Sequence, residues 1–469
     1  MLSKSSLKRT AIASVLALAA FAGVTTASLR AQTADHTRIE QEVLAQARDN
    51  IERFRKSDAA ITIRNRDGQP LAGVRLEVNQ VTQDFLFGNL AFELAEPDAA
   101  SRPHLNAFKD RFKALFNYAI LPFYWSAYEA SQGKPQWERI QRAIDWCRSN
   151  GITLKGHPLG WTHPAGTPDW FLDLPRDTAF KLYEARIRNT VAGFKDDVDI
   201  WDVVNEPVNT IPMDRVFATG TNRDTRIGEG ARYDVTGVTT DDIVPWVADS
   251  FKWAAEANPD GTFILNEFNL VPLPETRERF AALVQTLLAR GAPVRGLGIQ
   301  AHEPREEWFP PDEVKATLDR LAQFGLPLHI TEFIPQSSGK PITGGWREGP
   351  WTAEAQADFA EQFYTIAFGH PAVATINWWG LSDADIWLPG GGLLDEHYEP
   401  KPAYDRLLKL IKHDWMTKNL ALATDKGGQA TFRGFQGGYT IIASLPDGTR
   451  KTLTVHVRAN EENHWDFRL

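Results

Sequence analysis

Two patterns of apolar and polar positions divide this chain. Between about residues 84 and 415, short apolar runs alternate with longer stretches in which apolar residues return every third or fourth position. The runs are FLFGNLAF, LFNYAILPF, ITLKGHPLGW, VDIWDVVNE, GTFILNEFN, VRGLGIQAH, PLHITEF and ATINWWG. The stretches between them, such as WERIQRAIDWCRSN and TRERFAALVQTLLAR, have the spacing of amphipathic helices. Eight strands alternating with helices predict an α/β chain folded as a (β/α)8 TIM barrel, although the count alone also fits a doubly wound open sheet. Outside this region the pattern changes. Ile39, Val43, Ala47, Ile51 and Phe54 mark an amino-terminal helix, and AAITIRNRDGQPLAGVRLEVNQV alternates on both sides of Asp67-Gly68, which predicts a hairpin. The far end, QATFRGFQGGYTIIASLPDGTRKTLTVHVRA, alternates in the same way around Gly-Gly and Asp-Gly turns. Neither end has enough strands to stand alone, so the two are expected to combine into one small accessory β-domain. The resulting division is 1–31, 32–83 (helix and hairpin), 84–415 (barrel) and 416–469 (strands of the accessory domain).

Six of the eight runs end in polar or aromatic groups: His157 and Trp161, Asn205 and Glu206, Asn266 and Glu267, Gln300 and His302, Glu332, then Trp378 and Trp379. A barrel gathers its carboxyl-terminal strand ends at one mouth, whereas an open sheet spreads most of them along an edge, so this pattern favours the barrel. One Glu at a strand end is ordinarily a loop residue or an ion-pair partner. Six such ends together point to a site. Cleavage of a glycosidic bond needs a proton donor for the departing oxygen and a negative group facing the anomeric carbon. Two carboxyls about 5–5.5 Å apart provide both in a retaining mechanism. Glu206 and Glu332 are the candidates, with Asn205 placed for a sugar 2-hydroxyl and with Gln300 and His302 placed to orient Glu332. Trp161, Trp378, Trp379 and Trp387 lie at or beyond strand ends, where aromatic faces stack on sugar rings. His157, His163 and His302 lack the paired spacing of a zinc or iron site, and neither a metal nor an organic cofactor is expected.

With 43% hydrophobic and 24% charged residues over 469 positions, the composition is that of a globular protein large enough for a barrel with additions. Residues 1–31 stand apart. Lys4, Lys8 and Arg9 precede the apolar run AIASVLALAAFAGV, and small residues follow, the order of an export signal, with an uncleaved anchor as the lesser alternative. The segment carries four basic residues and no acidic one, so without it the net charge moves from −9 to −13. That balance disfavours nucleic acid and anionic membranes as partners and suits an uncharged polysaccharide or oligosaccharide. Cys147 is the only cysteine, which excludes an intrachain disulfide. A monomer in the periplasm or outside the cell is expected. In the accessory domain, Tyr439, Trp465 and Phe467 read better as core than as a sugar platform.

Over roughly 84–410 the chain resembles glycoside hydrolase family 10, the retaining endo-β-1,4-xylanases. WDVVNEP resembles the strand bearing the acid/base, and HITEF the strand bearing the nucleophile. GLGIQAH, KGHPLGW, ILNEFN, WWGLSDADIW and PKPAY resemble further family segments, in family order. The resemblance implies Glu206 as acid/base and Glu332 as nucleophile. His157, Trp161, Asn205, Asn266, Gln300, His302, Trp379 and Trp387 are implied as substrate-binding residues. The family's Glu-Asn-x-Met-Lys-Trp stands here as ILPFYW, with Leu121 at the Asn position and Tyr124 at the Lys position; Tyr124 and Trp125 are the candidate replacements as a sugar platform. Thr162 occupies the usual His position, Glu267-Phe268 replaces Asp-Tyr, and Phe333-Ile334 replaces Leu-Asp. The expected function is hydrolysis of β-1,4-xylosidic bonds in xylan or decorated xylo-oligosaccharides. A barrel glycosidase for another β-glycoside and a carbohydrate-binding protein without catalysis are the alternatives. Arg215, Arg223, Arg226 and Arg232 offer contacts to an acidic side group, and the Gly-rich segment PQSSGKPITGGWREGPW is a candidate lid.

Overall fold

The computed structural model describes residues 35–96, 102–172, 174–213, 216, 235 and 237–469. The export signal expected over residues 1–31 lies outside them. A helix over 35–54 opens the described chain and buries Val43, Ala47 and Ile51. It packs closely on the helix Ala353–Gly369, where a Cβ on Gly369 would stand 2.5 Å from the carbonyl oxygen of Ala47.

Strands β1 (Lys56–Arg64) and β2 (Arg75–Gln80) follow. They do not form the hairpin that their alternation predicts, and only a single bridge, Arg64 to Pro70, joins this stretch. Each strand instead enters a different sheet. Ala59, Ile61 and Ile63 face Leu76 and Val78 across a shared core.

The barrel is made of β3 (Leu86–Leu90), β4 (Tyr118–Pro122), β5 (Thr153–His157), β6 (Ile200–Asn205), β7 (Thr262–Glu267), β8 (Gly296–Ile299), β9 (Leu328–Phe333) and β10 (Val373–Trp378). Neighbours in sequence are parallel neighbours in the barrel, and β10 closes onto β3 with Thr375 opposite Leu86. Each of the eight predicted runs falls on one of these strands. The helices between them pack their apolar faces on the outer side of the barrel; in Trp137–Ser149, for example, Ile140, Ala143, Ile144 and Cys147 are buried.

Five strands end the chain: β11 (Leu420–Ala423), β12 (Gln429–Phe435), β13 (Gly437–Ser444), β14 (Arg450–Val457) and β15 (His464–Arg468). β1 lies between β12 and β15, while β2 lies between β11 and β13, with β14 outside β13. The result is a two-sheet sandwich made from both ends of the described chain, with Ile61 beside Trp465. The chain crosses from one sheet to the other at Gly437, whose φ of 147° and close approach to the Thr82 carbonyl exclude a side chain. Tyr439 is buried in the sandwich core, and Trp465 and Phe467 pack against it.

Arg55 fastens the joint between sandwich and barrel. Its guanidinium donates to the carbonyls of Phe368 (2.7 Å), His370 (2.7 Å) and Val373 (2.8 Å) and lies over the Phe85 ring. Val373 begins β10 and Phe85 precedes β3, so the joint is at the end of the barrel away from the mouth.

Candidate active site

The mouth is organised around β6. Successive residues of a regular strand point to opposite faces, yet Asn205 and Glu206 meet, the Asn205 amide donating to Glu206 Oε1 at 3.2 Å. Two irregularities make this possible. The register of β6 against β7 shifts between Asp202 and Val204, and Glu206 takes a left-handed φ of 59°. That conformation costs a glutamate about 1–2 kcal/mol. It is held by the Glu206 N–H donating to the Asn266 carbonyl (2.8 Å) and by the Thr210 hydroxyl donating to the Glu206 carbonyl (2.6 Å).

Amide groups connect the two candidate carboxyls. Glu206 Oε1 also accepts from Gln300 Nε2 (3.1 Å), and its Oε2 accepts from the Trp161 indole N–H (2.8 Å). Glu332 Oε1 accepts from Asn266 Nδ2 at 2.8 Å, and its Oε2 lies 3.3 Å from His302 Nε2. Asn266 Nδ2 and Gln300 Nε2 both reach Asn205 Oδ1, at 2.7 and 3.2 Å, and the Thr331 hydroxyl fixes the Asn266 amide by donating to its oxygen. Asn205, Asn266 and Gln300 are almost fully buried, and Glu206 and Glu332 are 8% and 4% exposed. Asn205, Asn266 and Gln300 therefore form the floor that sets the two carboxyls.

Burial, reinforced by the charge of Glu332, pushes the Glu206 pKa up to about 7 against the opposing effect of its N–H donors. Glu206 thus holds a proton at the pH where a general acid is needed. The pKa of His302 is also raised: burial opposes protonation, but the hydrogen bond and charge of Glu332 outweigh it. His302 Nδ1 is buried with no hydrogen-bond partner among the described residues. Deeper in the barrel, Lys155 and His157 both reach Asp202 Oδ2, at 2.6 and 2.7 Å. Burial alone would raise the Asp202 pKa, but Lys155 and the His157 ring overcome it and hold that carboxyl below its usual range. Asp202 thereby fixes the His157 ring.

A further buried carboxyl, Glu267, lies behind Glu206. It accepts from the Val208 N–H (2.8 Å), the Phe268 N–H (2.9 Å) and the Asn209 amide (2.9 Å), pinning the chain just after Glu206. Burial first, and the nearby Glu206 charge second, push its pKa up to about 8. In sequence Glu267 was visible only as an acid at a strand end. Asp202 left a comparable trace, an acid inside an apolar run.

The aromatic candidates divide. Tyr124 is half-buried at the mouth, its ring 5.3 Å from that of His157 and 5.9 Å from that of Trp161. Trp379 meets His157 edge-on at 5.0 Å, and Trp387, 45% exposed, meets His302 at 5.7 Å. Trp125 does not join them and is not a platform. It is 1% exposed, packs against Trp170, Phe171 and Tyr183, and donates its N–H to Glu129. Trp378 is no platform either, being fully buried in the main core with its N–H on the Gly391 carbonyl (2.9 Å). Leu121 also faces away, into the main core, while its neighbour Ile120 faces the mouth.

The expected lid, residues 335–351, is held to its surroundings at several points. Ser337 N–H and Gln356 Nε2 both donate to the Gly390 carbonyl, the buried Trp351 stacks on Trp308, and Arg347 pairs with Glu40 of the amino-terminal helix. Its glycines serve tight turns in an anchored loop. Arg215, Arg223, Arg226 and Arg232 lie outside the described residues.

A closed (β/α)8 barrel that buries two amide-linked carboxyls at its mouth, one of them able to hold its proton near neutrality, has the machinery of a barrel glycoside hydrolase. This chain belongs to glycosyl hydrolase family 10, whose model matches residues 100–410. An endo-1,4-beta-xylanase B of Thermotoga neapolitana is 26% identical over 298 residues, covering 61% of this chain and 78% of the relative. An anti-sigma-I factor of Acetivibrio thermocellus is 26% identical over 415 residues, covering 88% of this chain but 48% of the relative. The solved structure of xylanase 10B from Thermotoga petrophila RKU-1 in complex with xylobiose shares the fold, with a TM-score of 0.55 and 23% identity over 71% of this chain and 95% of the other.

Proposed function

We propose that this glycoside hydrolase is of endo-1,4-β-xylanase type and cleaves β-1,4-xylosidic bonds in xylan or decorated xylo-oligosaccharides by double displacement. Glu332 attacks the anomeric carbon while Glu206 gives its proton to the departing oxygen, leaving a glycosyl ester on Glu332. Water then attacks the same carbon, Glu206 takes the water's proton, and Glu332 leaves, so the anomeric configuration is retained. Asn205 is the partner for the sugar 2-hydroxyl, and His157, Trp161, Trp379, Trp387 and Tyr124 line the sugar's path. Asn266, Gln300 and His302 act on the substrate through the carboxyls they hold.

The observation that carries this reading is the asymmetry of the two carboxyls. Glu206 sits in a buried environment that keeps its proton to about pH 7, while Glu332 faces the Asn266 amide and the His302 imidazole. The names of the relatives support xylan as substrate. A time course on xylo-oligosaccharides and glucuronoxylan, with the anomer followed by NMR, tests it. β-Anomer released first supports the reading, and α-anomer first overturns the double displacement. No cleavage of any xylan by the folded protein moves the assignment to another β-glycoside.

The order of basic, apolar and small residues over 1–31 supports export, and the acidic balance supports a monomer that binds neither nucleic acid nor membrane. The amino-terminal sequence of protein recovered outside the cytoplasm, and its mass in solution, check both points.

A further inference from the structure

The wall on Glu332's side of the mouth is apolar. Ile334 lies two residues beyond Glu332, and the Trp379 N–H donates to the Phe333 carbonyl at 3.0 Å. Ile334 and Trp379 form with Ile120 and Leu388 a cluster separate from the main core, each at most 4% exposed, and the half-buried Phe92 and Ile386 pack against it. Phe92 meets Trp379 edge-on at 6.1 Å and Tyr124 edge-on at 5.8 Å. The hydrogen-bonding side chains in this described collar are the Trp379 indole, which meets the His157 ring beside the reacting sugar, and the Tyr124 phenol, which burial together with the Glu332 and Glu206 charges keeps protonated.

A sugar unit carries hydroxyls around its ring, and each one that leaves water needs a new partner. The reacting sugar has such partners in Asn205, His157 and the carboxyls themselves. A second unit on the same side would lie over Phe92, Ile386 and the rim of Tyr124; the neighbouring Glu93 and Asp385 are already paired with Arg102 and the Tyr398 hydroxyl, which leaves the Tyr124 phenol as the donor for several hydroxyls. The opposite side differs: Trp161 is tied to Glu206 and stacks on His163, with ring centres 4.1 Å apart, forming a flat platform on the path of the leaving group.

We infer that the glycone side of this site is built for a single sugar. A second glycone unit adds little to transition-state binding, and substrate length is read on the leaving-group side. The inference rests on the xyloside reading above and refines it, since a site of this kind cleaves next to a chain end as readily as at internal bonds.

The full chain is assayed on 4-nitrophenyl β-xyloside and 4-nitrophenyl β-xylobioside, comparing kcat/KM. The two share the leaving group and differ only by the second glycone sugar. Two good hydrogen bonds to that sugar would favour the xylobioside by about thirtyfold. Values within about fivefold of each other are expected, and a larger advantage for the xylobioside overturns the inference. Hydrolysis of neither compound by folded protein overturns the xyloside reading and this inference with it. The two failures are therefore distinguishable by whether the xylobioside is cleaved.

Discussion

At the scale of single residues, the environment of Glu206 has a kinetic consequence. The acid must be protonated when the leaving oxygen departs, and its pKa in the unliganded protein is about 7. kcat/KM should therefore hold up to neutrality and fall about tenfold per pH unit above it. The Trp161 N–H stabilises the carboxylate form, so removing it favours the proton. Trp161→Phe should move the alkaline limb of kcat/KM upward by about one pH unit, which a pH–rate profile of the two proteins measures. A limb that stays in place would mean that Glu206 is not the titrating group. Glu332→Gln removes the nucleophile but keeps an acceptor for the Asn266 amide. Turnover should fall below about 0.1% of the parent, with the thermal midpoint unchanged within a few degrees.

At the scale of elements, the site depends on how β6 is tied to β7. Glu267, at the end of β7, holds the chain immediately after Glu206 with an acceptor that faces only donors. Glu267→Gln turns an N–H₂ toward one of them, two hydrogens where the carboxyl, protonated below about pH 8, carries at most one. It should destabilise the protein by about 1–3 kcal/mol in chemical denaturation and lower kcat/KM, because the left-handed turn at Glu206 loses its backing. The strands themselves were legible in sequence because barrel strands are buried on both faces and read as continuous apolar runs, which polar groups interrupt only at the mouth. The β1–β2 pair was misread for a related reason. Two strands joined in a hairpin and two strands facing each other across a sandwich show the same period of two, and nothing local separates them. Tyr124 and Trp125 show a finer limit. They are adjacent aromatics at a strand exit, and which of them reaches the mouth depends on the turn that the backbone takes there. The donors around Glu267 lie beside it only once β6 and β7 are paired, so its holding role could not be read from the sequence.

At the scale of the whole molecule, barrel and sandwich meet through Arg55, half-buried and bound to three carbonyls. Arg55→Met keeps much of the apolar stem against Phe85 and Phe368 but leaves those carbonyls without their donor. Destabilisation of about 2–4 kcal/mol is expected from urea denaturation, with kcat/KM unchanged at temperatures where the variant stays folded, because the joint lies at the far end of the barrel from the mouth. An equal loss of activity and stability would show that the sandwich end and the mouth are coupled.

The sandwich also sets an order of events for a chain made from its amino terminus. β1 and β2 emerge early, but their partners β11 to β15 come more than 300 residues later. At about 5–20 residues per second, translation alone leaves those two strands uncovered for roughly 20–70 s. During that time the Ile61–Ile63 and Leu76–Val78 stretches display an apolar, hydrogen-bond-hungry edge. A chaperone footprint or a protease nick on ribosome-bound chains should therefore fall on β1 and β2, the earliest strands to be made and the last to be sheltered.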